Sequence, residues 1–319
     1  MPLRHVIVGG VGFVGVGLAA ELSGTSEVVV AARPGSARRR PRIARELKRL
    51  GAHVALSERL DVDFLERLSG DVYYHVAGKL WGSMKELEEA HVNLLGRAVS
   101  AASKIGARVV YVSSIGVGAE MRGVPRHSTV AEEEKHLDPA IFVHRGPYEV
   151  TKAKAERLLV SRGSELHGRW SIVRPALIFG PWGYEVQWRF ILGMARRGLA
   201  PYANSRNMIY IGDLTRVLAE AGSGKYDGKW VYASDPRDID LGDVATEICR
   251  QEKRGCRRVN ISWALKAIGL LPVSPMYVTY RMISGGYKFK SRFLEGFRFT
   301  DLGEAVSSFL QWARGGLSP

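Results

Sequence analysis

The stretch Val8-Gly9-Gly10-Val11-Gly12-Phe13-Val14-Gly15 lies between a short apolar run, His5–Val8, and a helical pattern, Phe13–Leu22. It reads as G-x-x-G-x-x-G and equally as G-x-G-x-x-G. Glycines here let the chain turn tightly and bring backbone N–H groups against a pyrophosphate, while the helix N-terminus adds partial positive charge. A glycine-rich turn alone is common. Strand, turn and helix in this order make Gly9, Gly12, Phe13, Val14 and Gly15 candidates for holding a nucleotide.

Strand-like runs at Glu27–Ala32, His53–Leu56, Val72–Val76, Arg108–Val112 and Trp170–Val173 continue outward from that turn. Most are rich in Val, Ile and Tyr, the composition of buried parallel strands. Helical patterns fill the gaps at Ala37–Leu50, Val62–Leu68, Met84–Lys104 and Tyr148–Ser161. The alternation predicts an α/β fold, a doubly wound parallel Rossmann sheet, with ligands at the carboxyl ends of the strands. Residues 1–180 are expected to form the nucleotide-binding domain. Residues 181–319 are expected to form a smaller, mostly helical cap, with about 208–235 returning to the sheet. In the cap, helices are predicted around Glu185–Arg197 and Leu214–Ala221, and a strand at Lys229–Ala233.

The end of the second strand bears on the cofactor. An acid there accepts the ribose 2′-hydroxyl of NAD, whereas Arg suits the 2′-phosphate of NADP. This chain reads Val30-Ala31-Ala32-Arg33-Pro34-Gly35-Ser36, without an acid. Arg33, Ser36 and Arg38 are therefore phosphate candidates, because guanidinium matches phosphate geometry. NADP(H) is favoured, with NAD(H) as the alternative. Arg40, Arg45 and Arg49 read as a solvated basic face. Asp61-Val62 either meets the adenine or caps a helix. Ala77-Gly78 ends the fourth strand with small residues that let a cofactor approach the backbone.

Tyr148 and Lys152 stand at i and i+4 on one helix and share a face. A Tyr phenol with an ordinary pKa near ~10 exchanges protons poorly at neutral pH, and a neighbouring ammonium lowers it. Ser113-Ser114 at the end of the fifth strand supplies a hydroxyl to orient a substrate oxygen. Tyr and Lys at this spacing often decorate helices without function. It is the combination with the Ser strand end and the glycine turn that points to Ser114, Tyr148 and Lys152 as a catalytic set.

With these residues in view, the chain resembles the extended short-chain dehydrogenase/reductases over nearly its whole length. The matching residues are Gly9–Gly15, Asp61, Ala77-Gly78, Asn93, Ser113–Val117, Tyr148–Lys152, Arg174–Pro181 and Tyr210–Leu214. Aligning Val117-Gly118-Ala119 to the turn that follows the family's serine selects Ser114, with Ser113 as the second choice and a cofactor contact. The resemblance also implies Pro175 beside the nicotinamide, Ile178 among the cofactor contacts and a structural Asn93. The family includes nucleotide-sugar epimerases and dehydratases, and reductases of bulky alcohols and ketones. Leu177 where the sugar-nucleotide enzymes often carry Asn, Ile115-Gly116 where dehydratases carry Asp-Glu, and Arg33 all favour the second kind. A weaker likeness of Phe293–Phe299 to the steroid and flavonol reductases points the same way. The expected activity is NADP(H)-dependent oxidoreduction of a secondary alcohol or carbonyl. The alternatives are a nucleotide-sugar epimerase or dehydratase with tightly bound NAD, and a non-catalytic NADP(H)-binding scaffold.

The net charge of +14 admits a nucleic-acid or membrane partner. About half of the excess sits in residues 33–49, with eight Arg or Lys against one Glu, so the cofactor explains it better. No nucleic-acid partner or metal is expected, and membrane contact is disfavoured. A small-molecule substrate and a homodimer are expected. Arg outnumbers Lys 33 to 13, and Asn plus Gln total seven, which suits a hot-living source or a GC-rich genome. Cys249 and Cys256 are too few for a disulfide framework, and no leader is visible, so a cytoplasmic setting is expected. His144, Arg145, Trp182, Trp188, Arg189, Tyr202 and Asn207 are pocket candidates. Residues 115–147 form a long connection, and Glu132-Glu133-Glu134 within it reads as a solvated charge run. The apolar stretch Ile261–Ile283 is interrupted by Pro272, Pro275, Lys266 and Arg281, and reads as a buried cap helix or lid.

Overall fold

The computed structural model describes residues 2–118, 125, 128–132, 138, 140, 146–183, 185–203, 207–269 and 287–315. His144, Arg145, Glu133, Glu134 and the part of the apolar stretch after Gly269 lie outside the described residues.

Seven strands form one parallel sheet: β1 (Arg4–Val8), β2 (Glu27–Ala32), β3 (His53–Leu56), β4 (Val72–His75), β5 (Arg108–Val112), β7 (Trp170–Pro175) and β11 (Lys229–Ala233). Their spatial order is β11-β7-β5-β4-β1-β2-β3, the doubly wound order in which the chain reverses direction beside β1. Val6, Val8, Val109 and Tyr111 face one apolar cluster, whereas Ile7, Val110, Val112 and Tyr74 face another, as the period of two requires. Both faces are covered by helices: α1 (Phe13–Leu22), α2 (Pro34–Arg39), α3 (Pro41–Arg49), α4 (Val62–Arg67), α5 (Met84–Glu88), α6 (Leu94–Ile105) and α7 (Pro147–Ser161).

Two helices predicted as continuous are divided. The Ala37–Leu50 pattern breaks at Arg40, which precedes Pro41 and has φ −130 and ψ 62. A residue before proline is pushed out of the α region, so α2 ends and α3 restarts on the proline. The Met84–Lys104 pattern widens into a π-helical turn at Glu89–Asn93, between α5 and α6. Such insertions frequently mark functional positions.

Short parallel pairs build the remainder: β6 (Thr129–Val130) with β13 (Lys288–Phe289), β8 (Leu177–Phe179) with β10 (Met208–Tyr210), and β9 (Leu199–Tyr202) with β12 (Arg257–Asn260). The helices are α8 (Glu185–Ala195), α9 (Ile211–Gly222), α10 (Leu241–Gln251), α11 (Ser262–Gly269) and α12 (Leu302–Arg314). A third apolar cluster centred on Phe179, Trp188, Ile248 and Phe309 unites α8, α10 and α12. Helix α9 packs on α1 at Gly17, where a Cβ would come within 2.9 Å of Ile211.

Three sequence expectations change here. Glu132 is fully buried; its carboxylate accepts from Tyr232 N (2.8 Å) and Arg292 N (2.9 Å), so it anchors two segments and is not part of a solvated run. Asn207 and Trp188 are buried structural residues. Asn207 accepts from Phe289 N (2.9 Å) and donates to Tyr287 O, and Trp188 packs on Phe309. The cysteine count gave no reason to expect a disulfide, yet the fold pairs Cys249 with Cys256, Cα atoms 6.0 Å apart. Among the described residues no helix is long and apolar enough to cross a membrane.

Candidate active site

The glycine turn meets its requirements one residue at a time. Gly9 has φ +77, and a Cβ on it would lie 2.4 Å from that of Ala77, so glycine lets the β1–α1 turn press on the end of β4. A Cβ on Gly15 would lie 2.0 Å from Gly10 O, so the first turn of α1 needs glycine to close on the loop. Gly12 is different: it caps α1, and among the described residues no heavy atom lies within 4 Å of its Cβ position. Its missing side chain serves no packing among those residues and leaves room for a ligand at the helix N-terminus. The first intrahelical bond runs from Val16 N to Gly12 O (2.9 Å), so α1 begins directly at the glycine turn, with its positive end there. No acidic side chain occupies the first turn. These features fit a dinucleotide pyrophosphate.

Around the end of β2 the arrangement is more elaborate than the sequence suggests. Arg33 follows β2 and is the N-cap residue of α2, but its Nη2 is paired with Glu89 Oε1 at 3.0 Å. Arg40, expected on a solvated face, donates from Nη1 to Val11 O (2.9 Å) inside the glycine turn. Arg49 does remain on the surface, paired with Glu46. Ser36 is half-buried and Arg38 exposed on α2. Asp61 caps α4 by accepting from Phe64 N (2.9 Å), which is one of its two expected roles; half-buried Val62 follows it.

Strand ends β4, β5 and β7 carry the second half of the site. Ser113 and Ser114 diverge as strand neighbours must. Ser113 Oγ donates to Glu156 within a buried network, and Arg174 Nε donates to the same carboxylate (2.9 Å). Ser114 is 4% exposed; its Oγ accepts from Gly116 N (2.9 Å), which leaves its proton to be donated. Pro175 is buried at the end of β7, paired with Ala233, and Ile178 is half-buried on β8.

Helix α7 starts on Pro147, so Tyr148 and Lys152 fall in its first two turns, facing the sheet. Both are buried. Lys152 Nζ donates to Val112 O (2.8 Å) and lies 5.0 Å from the Tyr111 ring centroid. Burial pushes the Lys152 ammonium down to about 7, opposed by the Glu156 carboxylate one turn along the helix. It therefore exchanges protons near neutrality.

Sequence reasoning missed His91. On the π-helical turn, its ring stands edge-on to Tyr148 with centroids 5.6 Å apart. Nε2 accepts from Lys79 N (3.2 Å), and Nδ1 meets Thr151 Oγ1 (2.8 Å), which in turn donates to Pro147 O (2.8 Å). Burial, then the Lys152 charge, pushes His91 down to about 2, so the ring is neutral and braces the first turn of α7. A lone His in an amphipathic pattern carries no signal of this. His75, at the end of β4, is wholly buried, and burial, then the Lys152 charge, pushes it down to about 3. Trp182 stacks on Trp312 and under Arg42, and Tyr202 lies under Arg258, so neither projects alone from the cap. Among the described residues no group of His, Cys, Asp or Glu side chains is placed to hold a metal ion.

Residues 5–236 match the model of the NAD dependent epimerase/dehydratase family. No curated protein matches the sequence. Solved structures match throughout. A UDP-N-acetylglucosamine 4-epimerase from Methanobrevibacter ruminantium M1, in complex with UDP-N-acetylmuramic acid, has a TM-score of 0.74 at 15% identity, covering 98% of this chain and 99% of its own. The UDP-glucuronic acid 4-epimerase of Bacillus cereus, in complex with NAD, gives 0.71 at 16%, covering 98% and 97%. The UDP-glucose 4-epimerase of Thermotoga maritima, with UDP-glucose, gives 0.71 at 16%, covering 99% and 100%. At such identities the likeness is one of fold.

Proposed function

The chain belongs to the NAD dependent epimerase/dehydratase family, and on that premise we propose that it oxidises and re-reduces a hydroxyl-bearing carbon of a nucleotide-diphosphate sugar. The observation that carries a proton-exchanging site is the placement of Tyr148 one helical turn from Lys152, a buried amine held by Val112 O with its pKa near 7. When bound, a nicotinamide dinucleotide supplies a hydride acceptor and donor. Gly9, Gly12 and Gly15 would hold it at the N-terminus of α1, and Lys152 would hold its nicotinamide ribose. Tyr148 takes the proton from the substrate hydroxyl and returns it on reduction. Ser114 donates its hydroxyl proton to the substrate oxygen and fixes it beside Tyr148. Lys152, when charged, stabilises the Tyr148 phenolate, and the neutral His91–Thr151 brace holds the helix turn that carries Tyr148. Aid of this acid–base kind is worth roughly 10²–10⁴-fold in rate.

The family and the full-length likeness to UDP-sugar epimerases support this reading over the NADP-linked redox reaction favoured by the sequence. One observation keeps the redox reading as second choice. Arg38 and Arg39 lie near Arg33 and Arg40 without an acidic partner among the described residues, a field suited to a 2′-phosphate. The test is to identify the nucleotide that co-purifies and then offer UDP-glucose and UDP-glucuronic acid. Bound NAD with interconversion of the sugar and no net absorbance change at the nicotinamide band is expected. Consumption of NADPH with a bulky ketone, and no action on UDP-sugars, would overturn the proposal in favour of the redox reading.

A further inference from the structure

We infer that Glu89 sets the choice between NAD(H) and NADP(H), by holding Arg33 in an ion pair where an adenosine 2′-phosphate would need it. The inference rests on the dinucleotide site proposed above. The end of β2 has no acid of its own in sequence, and 2′-hydroxyl recognition calls for one there. The fold supplies it from 56 residues further on, through the π-helical turn.

Glu89 Oε1 accepts from Arg33 Nη2 (3.0 Å) and from Arg97 Nη2 (2.6 Å), and Oε2 accepts from Asn93 Nδ2 (3.2 Å). Arg97 is fixed by a second bond, from Nε to Leu60 O (3.1 Å). The carboxylate is thus anchored from the α6 side and presented to Arg33. Burial pushes the Glu89 carboxyl up, but the bonds from Arg97 and Asn93 and the nearby guanidinium charges outweigh it, so Glu89 is ionised at neutral pH. An anchored carboxylate can accept a ribose hydroxyl. It repels a 2′-phosphate, and it occupies the guanidinium that would otherwise receive one. The Arg33 side chain is 43% exposed, so the pair itself is weak and open to exchange. The weight of the effect falls on which anion or hydroxyl shares the place with Glu89.

The test is to titrate NADH and NADPH separately into the ligand-free protein, following tryptophan fluorescence, for wild type, Glu89→Gln, Arg33→Ala and the double variant. Glu89→Gln should raise the ratio of NADPH to NADH affinity by about fivefold or more, and Arg33→Ala in the same chain should remove at least half of that rise on a logarithmic scale. Glu89→Asp, which keeps the charge but withdraws it by one methylene, should shift the ratio in the same direction and serves if the Gln variant does not fold. A smaller rise, or the full rise without Arg33, overturns the inference while leaving the dinucleotide site intact. Failure of wild type to bind either dinucleotide overturns both this inference and the proposed function.

Discussion

Acid should unfold this protein through two buried histidines. His75 and His91 are wholly buried and neutral, at about 3 and about 2 respectively, because burial and the Lys152 charge disfavour the imidazolium. In the unfolded chain each returns to the ordinary value of about 6.5. For a base whose folded pKa is depressed, the unfolded chain binds the extra proton, so stability is complete above about 6.5 and falls as pH drops toward the folded value. At pH 4.5 each ring is two units below its unfolded pKa, which costs about 2.7 kcal/mol, or about 5 kcal/mol for the pair. For 319 residues, the entropy of unfolding is about 0.7 kcal/mol per kelvin, so the pair lowers Tm by about 8 °C between pH 6.5 and 4.5. Carboxylates add their own acid sensitivity, so the comparison is with His75→Gln/His91→Gln, melted by circular dichroism at both pH values. The variant should be less stable at pH 6.5 but lose about 5 kcal/mol less on acidification. Parallel stability curves for the two proteins would show that these histidines do not set the acid sensitivity.

Further outcomes follow from the same packing. Glu156→Gln leaves the Arg174 guanidinium buried with a weakened partner and should cost about 3–5 kcal/mol, seen as a lower Tm; Glu156 and Arg174 are 0% exposed, so an unchanged Tm would show that the pair is not held as described. Gly15→Ala puts a methyl 2.0 Å from Gly10 O and should open the turn, abolishing detectable dinucleotide binding by fluorescence titration while the far-ultraviolet spectrum stays near wild type. Retained affinity would mean the turn does not hold the pyrophosphate.

Much of this architecture was legible because it rests on local signals. Buried strands such as Val28–Ala32 declare themselves by β-branched runs, and the glycine turn by its spacing between a strand and a helix. Tyr148 and Lys152 could be paired because a helix puts i and i+4 on one face. What escaped notice depends on residues far apart in sequence. Glu132 looks solvated within an acidic run, and only the return of β11 and the segment at Arg292 shows that it caps two backbone groups. Arg40 looked like surface until Pro41 broke the helix and aimed its side chain at Val11. The π-helical turn has no periodic signature over five residues, so the contacts of Glu89 with Arg33 and of His91 with Thr151 were invisible. The end of β2 shows no acid in sequence, and sequence cannot show that the Glu89 carboxylate is brought to Arg33 from another element.

Tyr148→Phe probes the proposed exchange of the substrate proton by Tyr148, separately from dinucleotide binding. Turnover would be measured on the substrate that wild type accepts, with NADH and NADPH affinity measured on the same preparation. The variant removes one hydroxyl and leaves the glycine turn and the Lys152–Val112 bond in place. A fall in turnover of at least about 10²-fold is expected, with dinucleotide affinity within a few-fold of wild type. Turnover within a few-fold of wild type in the Phe variant, with binding intact, would contradict it.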